Sequence, residues 1–148
     1  MARVTILTPK QFLFKTVVPV RITDINYGNH LGNDKVLSII HEARVQFFAH
    51  LGGSELDIMG TGMIMADAAI QYRSECFYGT KIEILVAVDD ISASTFDMLF
   101  LLRDSETGKE IARAITGMVC FNYAEKKIMR VPENLKTAIA PSAHTIEK

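Results

Sequence analysis

The chain has 148 residues, 49% of them apolar, and a formal net charge of −1. A chain of this length suits one domain that buries about 70% of its unfolded surface, so no disulfide framework or structural metal is needed. The balanced charge excludes a basic field for nucleic acid or an anionic membrane, although local basic residues could still hold one anionic ligand. The two cysteines, Cys76 and Cys120, lie far apart with no metal-like spacing, which predicts reduced, buried thiols. The N-terminus lacks the basic-then-apolar order of a signal peptide. No apolar run approaches the roughly 20 residues needed to span a bilayer. The expectation is a single soluble, cytoplasmic domain over 1–148, with no metal and no cofactor.

Residues 11–23 are rich in β-branched and aromatic types and predict a strand, with Pro19 favouring an edge position or a bulge. The polar segment from Gly28 to Asn33 breaks that run. Asn33 or Asp34 can cap a helix over 34–51, which stops at Gly52-Gly53. Val36, Leu37, Ile40, Ala43, Phe47 and Leu51, widened by Ile39 and Phe48, form a stripe that suits packing on a sheet. Lys35, Ser38, Glu42 and Gln46 fall on another side. Four β-like runs follow, at 62–73, 81–89, 95–103 and 110–123, separated by short turn signals that predict antiparallel hairpins. Residues 132–140 predict a short helix with Pro132 in its first turn. One strand, one long amphipathic helix and four strands give an α+β class. The simplest way to cover the helix is a curved antiparallel sheet wrapped around it.

The informative stretch is 21–44. A loop crowded with Asp24, Asn26, Tyr27, Asn29, His30 and Asn33 leads into a mostly apolar helix that carries Glu42. Such polar groups before a buried helix are costly unless they bind a ligand's carbonyl and phosphates or carry out chemistry. No Gly-x-Ser-x-Gly or phosphate-binding loop is present, and no His/Cys cluster suggests a metal.

Arg21, Asp24, Asn26, Asn29, His30, Leu31, Gly32 and Asn33, followed by Glu42-Ala43-Arg44, run without a gap. They resemble the entry of the acyl-CoA thioesterases of the 4-hydroxybenzoyl-CoA thioesterase type. Those proteins show Arg, two residues, Asp, one residue, Asp, then Gly-His-Val-Asn-Asn and a helix with Glu-Ala-Arg. Tyr72-Arg73-Ser74 before Gly79 resembles a later turn of the same family. The resemblance spans about residues 10–135. It implies the hotdog fold, a sheet wrapped around one long central helix. It also implies an acyl-CoA substrate and a homodimer or homotetramer whose sites are shared between subunits.

One position departs from the family. Its catalytic Asp aligns with Asn26, and a neutral amide can be neither nucleophile nor general base. Another branch of hotdog thioesterases carries its acid on the central helix, which makes Glu42 the candidate. A carboxylate on a largely buried helix is desolvated and so becomes a stronger base.

Each candidate has a second reading. Glu42 could activate water or attack the thioester, or it could hold the loop through a salt bridge. Asp24 could be the acid or an organiser of backbone amides. His30 could orient the substrate or pack structurally. Asn26 could donate to the thioester oxygen or form an Asx-turn. Helix-start amides around Gly32 to Lys35 could reach the same oxygen. Tyr27, Asn33 and Arg73 are the expected substrate contacts. Arg73, Lys81 and Arg113 could pair CoA phosphates or stay solvated. Asp67 could lie at a dimer contact, on the outer face or in the site. The seven Met residues could line an acyl tunnel or fill core. Two rivals stand beside hydrolysis. One is a hydroxyacyl thioester dehydratase or hydratase using His30 and Glu42, although the Pro-rich loop of those enzymes is absent. The other is a non-catalytic acyl-thioester binder.

Overall fold

Alternation within the long β runs decides the architecture. The computed structural model describes residues 3–140 and the backbone of Ile146–Glu147, and the ends of the expected 1–148 domain lie outside the described residues. In chain order the elements are β1 (Gln11–Phe12), β2 (Phe14–Pro19), a 3-10 turn at Ile22–Asp24, α1 (Asn33–His50), β3 (Gly62–Tyr72), β4 (Lys81–Asp89), β5 (Thr95–Asp104), β6 (Glu110–Asn122), β7 (Lys127–Ile128), α2 (Glu133–Ile139) and β8 (Ile146–Glu147). The main sheet runs β2-β4-β5-β6-β3, with β7 added on β6, and every pairing is antiparallel. Bulges at Met65/Asp67 and Leu102/Arg103 add local twist as the sheet curls around the helix. The expected fold is therefore the one observed.

The strand expected over 11–23 divides into three pieces. Pro19, the last residue of edge strand β2, has no N–H to extend a ladder. Just beyond it the Asp24 carboxylate accepts the Arg21 backbone N–H at 2.9 Å and turns the chain into the 3-10 turn.

α1 begins one residue earlier than expected, and its cap is Gly32, with no side-chain capping bond. Asn33 and Asp34, the expected caps, lie inside the first turn instead. The Gly32 N–H is taken by the Asp24 carbonyl at 3.0 Å. An added Cβ at Gly32 would lie 2.6 Å from the Asp34 carboxylate, whose exposed side chain would have to shift. At the other end Gly52, at φ +92, supplies the left-handed conformation that stops the helix.

α1 buries Val36, Ile39, Ile40, Ala43, Phe47 and Phe48 against the sheet. The facing residues come from every second position: Ile82, Ile84, Val86 and Val88 of β4, and Phe96, Met98, Phe100 and Leu102 of β5. The alternate positions Leu85, Ala87, Leu99 and Leu101 are also buried, in a second cluster with Ile6 and Phe12. The segment before β1 therefore lies across the outer face. It is held by Ile6 N–H to Gln71 Oε1 (3.1 Å) and by Arg113 Nη1 to the Ile6 carbonyl (3.0 Å). The outer sheet face is thus covered at this cluster, and Ile84 points at the helix. Met65 too lies beside α1, 3.9 Å from Arg44 Nη1, while Ala69 does belong to the outer cluster.

Candidate active site

The loop between the 3-10 turn and α1 is built from its own hydrogen bonds. Ile25 and Leu31 form a bridge, and Asn26 N–H donates to the His30 carbonyl at 3.0 Å. Asn26 Oδ1 accepts Gly28 N–H at 2.8 Å, an Asx-turn. Asn29 sits at φ 66, a left-handed conformation that asparagine tolerates. Asp24 is 2% exposed. Its carboxylate takes the Arg21 backbone amide and pairs with the Arg21 side chain at 3.4 Å, and its carbonyl holds Gly32. In this chain Asp24 thus does what a loop organiser does.

Two cavities flank this loop. The larger is a groove of about 410 Å³ between β2 and the outward face of α1. One wall is apolar, from Val17, Val18 and Pro19 with Ile39 and Val45, and the other is polar, from Ser38, His41, Glu42 and Gln46. Arg21 and Asp24 also line it. The helical repeat explains the polar wall, because Ser38, Glu42 and Gln46 succeed one another at four-residue steps on one face. Glu42 accepts Gln46 Nε2–H at 2.9 Å, and the Gln46 oxygen in turn accepts the Thr16 hydroxyl on β2. His41 pairs with Glu55 at 3.0 Å, and Glu55 also takes the buried Arg44 at 3.1 Å.

The second cavity, about 260 Å³, lies at the start of α1 and the end of β3. His30, Asn33, Tyr72, Arg73, Glu75 and Cys76 are among its lining residues. The Tyr72 hydroxyl donates to the Asn33 carbonyl at 3.0 Å and ties β3 to the helix start. His30 Nε2 is 3.7 Å from Glu75, and Arg73 is 3.9 Å from Glu110. Burial, followed by the Asp104 charge, pushes the Cys76 thiol up to about 11. Burial also raises the Cys120 thiol, against an opposing Thr61 hydrogen bond. Both cysteines are buried and free, as expected, so neither is a ready nucleophile.

The expected site residues are therefore divided. Glu42 and Asp24 line the groove, whereas His30, Asn33 and Arg73 line the second cavity. Asn26 stands in the loop between. Tyr27 is fully exposed and lines neither cavity. Glu42 is exposed, and the desolvation expected of it is not present in the single chain, because its side of α1 faces away from the sheet. Arg113 is occupied by Glu110 and the Ile6 carbonyl. Asp67 lies on the outer face, where its carboxylate accepts Gly117 N–H at 3.1 Å. Among the described residues no group of three or more His, Cys, Asp or Glu could hold a metal, and no helix is long and apolar enough to cross a membrane.

Sequence reasoning gave no role to Gln46, His41, Ser38 or Thr16. For Ser38 and Gln46 the signal was the four-residue polar step on α1, but the link from Gln46 to Thr16 on β2 is tertiary.

The model of the thioesterase-like superfamily matches residues 20–139. No curated protein matches by sequence. Solved structures similar to this chain include a 1,4-dihydroxy-2-naphthoyl-CoA thioesterase from Synechocystis, at 21% identity and TM-score 0.78, covering 89% of this chain and 97% of that one. A gentisyl-coenzyme A thioesterase is similar at 16% identity and TM-score 0.75, covering 86% and 100%. A predicted thioesterase from Bacillus stearothermophilus is similar at 16% identity and TM-score 0.76, covering 90% and 96%. At such identities the structural likeness speaks for the fold.

Proposed function

Since the chain belongs to the thioesterase-like superfamily, we propose that it hydrolyses an acyl-CoA thioester to free acid and CoA, with Glu42 as base or nucleophile. One observation carries the reading. Of the two carboxylates lining the groove, Asp24 is buried and bound to Arg21, whereas Glu42 stands open to the groove with the neutral Gln46 amide as its donor. A carboxylate placed so can take a proton from water or attack the thioester carbon directly. Asn26, His30 and the uncapped amides at the start of α1 are the proposed orienters and oxyanion donors. Asn33 and Arg73 are the proposed contacts for the CoA portion. The two buried free thiols suit the reducing cytoplasm.

A homo-oligomer with shared sites is part of the same reading. β3 is the terminal strand of the sheet, and Met65 to Ala68 on it are exposed. A second copy along that edge would extend the sheet and close over the second cavity, which Tyr72 and Arg73 line. Within one chain His30 and Glu42 line different cavities, so His30 joins Glu42 only across a subunit boundary, in hydrolysis and in the dehydratase reading alike.

The test is a panel of acyl-CoAs read by free-thiol release. It should include aromatic acyl groups, since two of the similar structures are thioesterases named for aromatic acyl-CoAs. Release from at least one member is expected, and Glu42→Gln should lower kcat by about 10²-fold. A folded variant that turns over near the wild-type rate removes Glu42 from the mechanism. Water loss from a hydroxyacyl-CoA without thiol release makes the protein a dehydratase, and binding without turnover makes it a binder.

A further inference from the structure

Glu42 stands on an exposed helix face, where a glutamate side chain samples several rotamers. A base must instead point one oxygen at one place, and misplacement by about 1 Å can cost about 10²-fold in rate. The structure holds a device that restricts it. Gln46, one helical turn on, donates Nε2–H to Glu42 Oε2 at 2.9 Å. The Gln46 carbonyl oxygen accepts the hydroxyl of Thr16, which is fixed in the β2–β4 ladder opposite Ile84. All of Val17, Val18, Glu42 and Gln46 line the same groove.

We propose that Gln46, anchored by Thr16, is a positioning residue that aims the Glu42 carboxylate into the groove. The inference rests on the reading of Glu42 as the reacting carboxylate. The chemistry settles which way the amide faces. A carboxylate is an acceptor only, so the NH2 end of Gln46 must meet it. That leaves the carbonyl end for Thr16, whose hydroxyl is free to rotate and donate. The helix thus carries the base while the sheet carries the reference point. A hydrogen bond running from the β2 ladder to a helix side chain sets the carboxylate relative to the apolar wall formed by Val17 and Val18. Without Thr16 the Gln46 amide loses its anchor on the sheet, and without Gln46 the Thr16 hydroxyl has no link to Glu42.

The test uses the full chain, the acyl-CoA that turns over best in the panel, and five variants: Gln46→Ala, Thr16→Val, Thr16→Ser, Glu42→Gln and the double variant Glu42→Gln/Gln46→Ala. Gln46→Ala should lower kcat by about tenfold and leave KM within about twofold. Thr16→Val is close to isosteric and should lower kcat in the same direction by a smaller factor. Thr16→Ser keeps the hydroxyl and should stay within about twofold of wild type. The double variant should be no slower than Glu42→Gln alone, because with the carboxylate gone there is nothing left to aim. A purely structural Gln46 would instead slow both backgrounds by the same factor, and that result overturns the proposal. So does a Gln46→Ala enzyme that retains the wild-type kcat while Glu42→Gln is inactive, and in that case the reading of Glu42 survives. Glu42→Gln at full rate, or no thiol release from any member of the panel by the wild type, overturns the reading of Glu42 and the inference with it.

Discussion

The side-chain oxygen of Asn26 is committed to Gly28 N–H at 2.8 Å, which leaves its NH2 end to serve another acceptor. This separates the two readings of the residue, because they use different ends of one amide. Asn26→Asp keeps an oxygen for Gly28 and removes the donor. If the NH2 end meets the thioester oxygen, Asn26→Asp should lower kcat by about 10²-fold with the melting temperature nearly unchanged. Asn26→Ala should lose both rate and some stability. Steady-state kinetics with thermal melts check this. A rate gain in Asn26→Asp would show instead that the site still runs on a loop acid. The loop was legible in the sequence because its polar density and the departure at Asn26 are local facts. The division of the candidates between two cavities was not legible. His30 and Glu42 are close in sequence, yet the loop and the first turns of α1 carry them to different sides of the helix start. The exposure of Glu42 was misread for a related reason. An apolar helix composition implies burial on average, but the three- and four-residue steps that bury Ile39 and Ala43 turn Ser38, Glu42 and Gln46 outward.

At the level of elements, the long strands were legible as β-like runs between turn signals, and α1 by its three- and four-residue steps. The cover on the outer sheet face was not. Ile82 to Val88 and Phe96 to Leu102 are nearly continuous apolar runs, a pattern that marks strands buried on both faces. The covering piece, residues 3–10, has no periodicity by which to recognise it. The outer face also carries a polar row at its far end. Asp67 pairs with Gly117, Gly117 with Asp97, and Asp97 with Asp89 across four strands. Gly117 has no Cβ to block the Asp67 carboxylate from its amide. The Asp97 carboxyl is raised above 3.8, first by burial and then by the charges of Asp90, Asp67 and Asp89. The sign follows from linkage. Below pH 3.8 the group is protonated in both states and its contribution to stability is complete. As pH climbs from 3.8 through the raised folded value, the unfolded chain releases a proton that the folded chain still holds, and stability is lost. At neutral pH the ionised Asp97 is therefore a net cost. Asp97→Asn should raise the melting temperature by about 1–3 °C at pH 7 and by less at pH 3. Melts at the two pH values decide it, and equal or lower stability of the variant at pH 7 would mean that solvent already screens the row.

Among the described residues the two ends of the sheet differ. β2, at one end of the sheet, has the outward face of α1 beside it across the groove. β3, at the other end, carries the exposed run Met65 to Ala68 with no Pro and only Asp67 as a charge. Edge strands of monomers are usually blunted by charge, proline or cover, because their free N–H and C=O groups template pairing with another chain. The Asp67 carboxylate does not blunt this edge, since it folds back onto Gly117 of the neighbouring strand. The bulge between Met65 and Asp67 is the one distortion there, and bulges bend an edge without removing its unpaired groups. The buried Arg44 sits behind Met65, bound to Glu55, so the edge is backed by a satisfied charge and not by a soft apolar layer. The surface therefore has the makings of a self-pairing seam, and it adjoins the cavity lined by Tyr72, Arg73 and Asn33. Light scattering at micromolar concentration should give a mass that is an even multiple of the chain. In a two-fold antiparallel seam centred on Asp67, the lysines of the variant Ala66→Lys/Ala68→Lys would each face the other lysine of the second copy, and like charges directly opposed disfavour pairing. That variant should run as a monomer with the same far-ultraviolet circular dichroism as the wild type, and it should lose thioester hydrolysis as it loses the partner. A wild type that is monomeric and fully active would remove the shared site from the reading, while a variant that stays oligomeric would move the seam to another face.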